Sequence, residues 1–327
     1  MNRRPNRLIA RRREIAVALS ILFLSAALAI LRPSYFSLEN LNDLLLANMP
    51  VLITAIGMTL VVLTGEIDIS VGSTFAVCSV AAGVFAKLGL SIVWVAVATC
   101  AVGTAIGAVN GALVAYVRVP SIVITLAMMV ALRDGLRWIT QGAWIQDLPT
   151  GFQWFGMTQT AYPIVAISSL LALQIVISWG MQHLSAGRAV YATGSNQDAA
   201  RLAGINTAVV KLTVFVVAGA LTGWASVLNA VRFSQIPSNA GIGLEMKVIA
   251  AVVVGGAAIR GGRGTFTGTL LGVILLGIIG PALTFLGVSA YWERALQGGI
   301  ILAAVAFDAI GRHRSAFTAS SSLSVAS

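Results

Sequence analysis

Charge is what this sequence has least of. Only 10% of its 327 residues are Asp, Glu, Lys or Arg, 58% are apolar and the mean hydropathy is +0.92. Soluble chains carry about 25% charged residues, so a water-soluble domain is excluded. Cysteine is also scarce: Cys78 and Cys100 lie inside apolar runs without metal-ligand spacing, which excludes a disulfide framework and a zinc site and leaves both as small packing residues. The two histidines, His183 and His313, lie near no cysteine or carboxylate cluster, so triad and metalloenzyme chemistry has no support. None of the three lysines, Lys87, Lys211 and Lys247, follows a glycine. The run GGAAIRGGRGTFTG therefore lacks the G-K-[ST] signature of a phosphate loop, and no catalytic residue, metal or cofactor is expected.

What the chain has instead is apolar runs, at 15–31, 44–64, 71–86, 92–117, 121–140, 162–181, 208–227, 246–259, 266–286 and 296–310. A bilayer span takes about 20 such residues, which predicts an all-α polytopic membrane protein of about ten transmembrane helices, its third and eighth short. The net charge of +10 does not point to nucleic acid. Much of the excess sits in Arg3, Arg4, Arg7, Arg11, Arg12 and Arg13, immediately before the first run, where cytoplasmic charge belongs. From a cytoplasmic N-terminus, Arg118, Arg188, Arg201, Arg260, Arg263, Arg312 and Arg314 all fall inside, while Arg32, Lys87 and Arg232 are scattered outside. The first run is longer than a signal-peptide core and is read as a retained span. The expected divisions are a basic cytoplasmic tail over 1–14, a transmembrane domain over 15–311 and a disordered tail over 312–327. The loop after the fifth run, with Trp144, Asp147, Trp154 and Phe155, suits either an aromatic belt or a partner-facing surface.

Two polar interruptions stand out. GEIDISVGS (65–73) puts Glu66 and Asp68 between two apolar runs, where an unpaired charge costs roughly 3 kcal/mol or more. Either the loop is exposed to the cytosol, with Asp68 and Ser70 capping the next helix, or it is a broken helix lining a cavity. SNAGIGLEMK (238–247) repeats the pattern with Glu245 before the short eighth run. Each interruption falls between the second and third helix of a set of five, and five is odd, so the two halves are expected to be inverted repeats. That places a translocation pathway along Gly65, Glu66, Asp68, Ser70, Asn239 and Glu245. Gly264, Gly268 and Gly272 recur every four residues, a spacing for close helix approach. Arg133, Asp134 and Arg137 read as a self-compensating charged helix end.

The longest soluble-looking segment is 187–206, which closes on ATGSNQDAARLAGIN. It predicts a helix of about two turns, capped by Ser195 with Asp198 three residues on and ended at Gly204. Such a helix is marginal alone. Ala199, Leu202 and Ala203 form a small apolar stripe suited to another protein's groove. A solvated loop with a nascent helix is the plainer reading.

These motifs carry a resemblance. From about residue 47 to 308, through GEIDISVGS, the segment 187–205 with its ATGSNQDAARLAGI, and GLEMKVIAAVVVGGAAIRGGRGTFTGTLLGVILLG, the chain resembles the integral membrane permeases of bacterial ABC importers for pentoses and related sugars, the ribose-type group. It departs from their pattern at Glu66, where they usually have a second glycine, at Ile69, and over 257–260. The resemblance makes 15–311 a permease domain and implies docking of the short cytoplasmic helix on an ATP-binding cassette subunit through Asn196, Asp198, Ala199, Arg201, Leu202 and Gly204. It further implies a periplasmic sugar-binding protein outside, a second permease copy or paralogue, and alternating access in the inner membrane without covalent chemistry. The competing class is an ion-coupled secondary transporter. Most charges sit at span ends, which favours the ATP-driven reading.

Overall fold

A computed structural model describes residues 4–289, 291–293, 295–299 and 302. Among these the regular structure is helical, apart from one antiparallel bridge between Ile145 and Ile236. The helices are α1 (Arg4–Leu31), α2 (Leu38–Leu63), α3 (Val71–Lys87), α4 (Ile92–Ala112, continued by a π turn over Leu113–Val117), α5 (Ser121–Thr140) and α6 (Tyr162–His183). There follow α7 (Ser185–Ser195), α8 (Gln197–Leu202), α9 (Thr207–Ala230), α10 (Leu244–Val254) and α11 (Phe266–Phe285).

Six of the described helices, α1, α2, α4, α6, α9 and α11, are long and apolar enough to cross a bilayer. The other expected runs differ for physical reasons. At 17 and 11 residues, α3 and α10 are about 25 and 16 Å long against a hydrocarbon core of about 30 Å, so polar chain adjoins each of them. Helix α5 is 20 residues long but carries Arg133, Asp134 and Arg137. The tenth run, 296–310, lies largely outside the described residues, and the tail 312–327 entirely so. The basic stretch expected as a tail is helical from Arg4 and continuous with the first span.

Helix α2 is the axis of the molecule: 83% of its most apolar stretch is buried, against 6% for α1, whose apolar side chains face outward. Helices α6, α9, α10 and α11 pack around it. Pro50 inside α2 has no N–H to give the carbonyl of Leu46, and the Arg232 guanidinium donates to that oxygen at 2.8 Å instead. Arg232 is therefore a structural donor as well as a loop charge. With lipid as apolar as leucine, helices associate by close approach rather than by hydrophobic drive. Helices α4 and α9 do so through Gly103, Gly107, Gly219 and Gly223; a Cβ at Gly223 would lie 2.8 Å from the Cα of Cys100. Gly268 and Gly272 likewise face the carbonyls of Gly255 and Ala251, whereas Gly264 lies before α11 against Ala257.

Hydroxyls add hydrogen bonds between helices, worth about 0.6 kcal/mol each in membranes. Thr59 meets Thr269 at 2.7 Å, Ser226 donates to the Phe75 carbonyl at 3.1 Å, and the Tyr162 hydroxyl donates to that of Leu228. The loop after α5 folds inward: Trp154 donates its backbone N–H to Val231 at 2.8 Å, and its ring and that of Phe155 pack on Tyr162. Trp144 is the member of that aromatic set left half exposed.

Candidate translocation and coupling site

The first interruption begins where α2 stops. Gly65 takes a left-handed conformation at φ +84°, and its amide returns to the Val62 carbonyl at 2.9 Å. The non-helical chain that follows would leave backbone groups orphaned inside the membrane domain. The start of α5 satisfies them: Ser121 accepts from the Ile67 amide at 3.2 Å and Thr125 from the Ile69 amide at 3.1 Å. Asp68 is buried, and one carboxylate oxygen accepts from both the amide and the hydroxyl of Ser70, at 2.8 and 2.6 Å. Asn110 donates to the Ser70 hydroxyl at 2.9 Å. The cap of α3 thus differs from the expectation: Ser70 holds the N-cap position but makes no side-chain cap bond, and Asp68 instead closes a turn just ahead of the helix. Both are packed inside the protein.

The second interruption meets the first. Gly241 and Gly243 are left-handed, and the Gly243 amide donates to Glu245 at 3.2 Å in the first turn of α10. Residues 241–245 lie against the first turn of α3 so closely that a Cβ on Gly72 would be 2.6 Å from the Gly241 carbonyl oxygen and would strike the Glu245 carboxylate. The other oxygen of Glu245 is buried without a hydrogen-bond partner among the described residues. Arg133 of α5 donates to the Ala240 carbonyl at 2.8 Å and lies within electrostatic reach of Glu245. The charged helix end expected of Arg133, Asp134 and Arg137 is therefore divided. Asp134 and Arg137 form an exposed pair at 3.9 Å, worth little, while Arg133 braces the second interruption.

The expected pathway residues do not form one cluster. Glu245 sits where the interruptions touch, and Asn239 is an exposed residue of the second interruption. Asp68 and Ser70 are internal, and Gly65 and Glu66 lie at the far end of the break, against the glycine loop 260–262. Gly72 and Arg133 are the members the motif reading missed. Gly72 was in view within GEIDISVGS, but its partner is distant in sequence.

That far end is where α7 packs. The Gly262 amide donates to the Leu63 carbonyl at 2.9 Å, Gly194 of α7 packs on the same carbonyl, and the Tyr191 hydroxyl donates to Gly264 at 2.9 Å. The glycine-rich loop is thus filled by protein backbone. Helix α8 is capped by Asn196, whose side chain accepts from the amides of Asp198 and Ala199 at 3.1 and 3.0 Å. Ser195, the expected cap, is instead the last residue of α7, held helical where it packs on Gly262. Asp198 lies in the first turn and Arg201 in the last, as the helix dipole favours, and Gly204 ends the segment at φ +82°. Ala199, Leu202 and Ala203 are exposed, Leu202 by 92%.

A cleft of about 450 Å³ lies between α2, α10 and α11, lined in part by Asn40, Asn48, Lys247, Gly280 and Glu293. Lys247 and Glu293 are paired across it at 2.6 Å.

The family model described as "Branched-chain amino acid transport system / permease component" matches residues 40–305. The autoinducer 2 import system permease protein of Salmonella typhi is 36% identical over 94% of this chain and 88% of its own. The ribose import permease protein of Escherichia coli (strain K12) is 36% identical over 89% of this chain and 92% of its own. The autoinducer 2 import system permease protein of Photorhabdus luminescens is 34% identical, over 95% and 93%. No solved structure matches the chain.

Proposed function

Because the chain belongs to the branched-chain amino acid transport system / permease component family, we propose that it is the translocation subunit of an ATP-driven importer for a monosaccharide or a sugar-like solute. It works in the bacterial inner membrane, and a separate ATP-binding subunit hydrolyses the nucleotide. Relatives named for ribose and for autoinducer 2, similar over nearly their whole length, support that solute class. The observation that carries the mechanism is α8: a capped helix of 6 residues with a bare apolar stripe, packed on α7 and the start of α9, with α7 in turn seated on the end of the central helix. A helix that short is held in place by its surroundings, and its exposed side suits a partner's groove.

In this reading Asn196, Asp198, Ala199, Arg201, Leu202 and Gly204 dock the ATPase. Residues 15–311 form one permease domain of ten spans with both ends cytoplasmic, short α3 and α10 occupying matching positions in two inverted halves. A second permease copy or paralogue and a periplasmic binding protein complete the importer. The pathway runs past the junction of the interruptions, with Glu245 and Asn239 toward the outside and Gly65 and Glu66 toward the cytoplasm. The test is uptake into proteoliposomes holding the permease, its ATPase and its binding protein. Labelled ribose and a panel of related sugars should include one solute accumulated only with ATP inside and binding protein outside. Accumulation without either component would refute the proposal.

A further inference from the structure

The break after α2 and the docking helix are joined by one side chain. Lys211, on the first turns of α9, places its ammonium 2.6 Å from a Glu66 carboxylate oxygen and 3.1 Å from the side-chain oxygen of Gln197, the first residue of α8. The Lys211 and Glu66 side chains are each only 13% exposed, unlike the two-thirds-exposed pair Arg137–Asp134. Gln197 is fixed in turn, its amide nitrogen 3.4 Å from the Thr207 hydroxyl, which also accepts from Arg201 at 3.0 Å. A continuous polar chain therefore runs from α8 through Lys211 to Glu66. From there the non-helical residues 67–70 lead into Gly72 and the junction of the two interruptions.

We infer that Lys211 is a positioning residue for energy coupling: it links movement of the ATPase-docking helix to the break between α2 and α3 through Glu66. The inference rests on the reading of the chain as an ATP-driven permease. A pair placed only for stability would tie any two elements. This one ties the segment with the unpartnered apolar stripe to the segment leading into the candidate pathway, and a third group, Gln197, shares its cation. Because the pair is shielded from water, its attraction is little screened, and a shift of α8 is felt at Glu66. Neighbouring backbone leaves little slack for the two ends to move independently, since Gly194 and Gly262 both press on the Leu63 carbonyl at the end of α2.

The test compares Lys211→Met, Glu66→Gln and the exchanged pair Lys211→Glu with Glu66→Lys, each assembled with ATPase and binding protein in proteoliposomes. Hydrolysis is measured with and without solute-loaded binding protein, and solute uptake is measured in the same vesicles. Both single variants should lose at least fivefold in the stimulated-to-basal ratio and in solute carried per ATP, at normal recovery of the ATPase. The exchanged pair should regain at least half of each, the Gln197 amide turning an N–H to the new carboxylate. Wild-type ratios in the single variants would overturn the inference, as would an exchanged pair that assembles fully yet stays uncoupled. If the single variants fail to assemble, Gln197→Ala, which leaves the ion pair intact, decides: a lowered ratio supports the link and a wild-type ratio overturns it. A wild-type complex without stimulated hydrolysis would sink the permease reading, and the link with it.

Discussion

Gly72→Ala is the smallest change that tests the junction of the two interruptions. The added Cβ would lie 2.6 Å from the Gly241 carbonyl oxygen, about 0.8 Å inside the distance at which ordinary contact begins. The Glu245 carboxylate can swing away, but Gly241 is backbone, left-handed at φ +70° and itself pressed against Gly72 and Phe75. Overpacking of this kind costs about 1–3 kcal/mol. If the junction opens and closes during transport, that cost falls on the closed form alone and shifts the balance between forms by roughly 5- to 150-fold.

The control is Gly219→Ala, whose Cβ would lie 2.1 Å from the Gly103 carbonyl oxygen in the α4–α9 interface, a tighter backbone clash than that at Gly72. Thermal unfolding of both purified variants and solute uptake per assembled complex are the measurements. Both should unfold at lower temperature than the wild type. If the junction opens and closes, uptake per complex should fall at least fivefold for Gly72→Ala and stay within about twofold for Gly219→Ala, because only the first clash would then differ between transport states. Equal losses in the two variants would refute the reasoning and leave the junction as packing.

Leu202→Asp changes a side chain that is 92% exposed, so permease stability should move by less than about 0.5 kcal/mol. Recovery of the ATPase on the purified permease should nonetheless fall about tenfold or more, as for loss of an interface anchor; full recovery would remove Leu202 from the docking surface. Asn196→Ala removes both cap bonds of α8, worth about 1 kcal/mol. Amides 198 and 199 should then exchange with deuterium about fivefold faster or more, while those of α9 stay protected.

Much of this was legible because local rules governed it. Short α3 and α10 follow from short apolar runs, the end of α8 from Gly204, and its bare stripe from the spacing of Ala199, Leu202 and Ala203. The cap of α8 was missed by one residue because Ser195 and Asn196 are both good caps, and the contact of Ser195 with Gly262 decides between them. The partners of the buried polar groups were not legible at all. Pattern shows that Glu66 and Asp68 need compensation, but not that Lys211 and Ser70 with Asn110 supply it, nor that Arg232, read as an outside loop charge, serves the Leu46 carbonyl. Such partners are set by how α2, α4 and α9 cross, and so by glycine contacts between segments distant in the chain.

The pairing of the charges also bears on what drives transport. An ion-coupled carrier needs an ionisable group that exchanges partners with the solvent ion during its cycle, and such groups sit in the spans. Here Glu66 is held by Lys211 at 2.6 Å, Glu293 by Lys247 at 2.6 Å, and Asp68 is turned onto Ser70. Each carboxylate is already committed within the protein. Glu245, which has a buried oxygen without a hydrogen-bond partner among the described residues, has Arg133 nearby. A membrane potential of 100 mV is worth about 2.3 kcal/mol per charge, or about 50-fold in accumulation. A carrier coupled to one charge loses that factor when an ionophore collapses the gradient; an ATP-driven permease loses almost none. In proteoliposomes supplied with ATP, accumulation should therefore stay within about twofold when proton and sodium gradients are dissipated, and should stop when a non-hydrolysable nucleotide replaces ATP. Accumulation that collapses with the gradients while ATP is still being hydrolysed would assign the driving force to an ion and return Glu245 to consideration as its site.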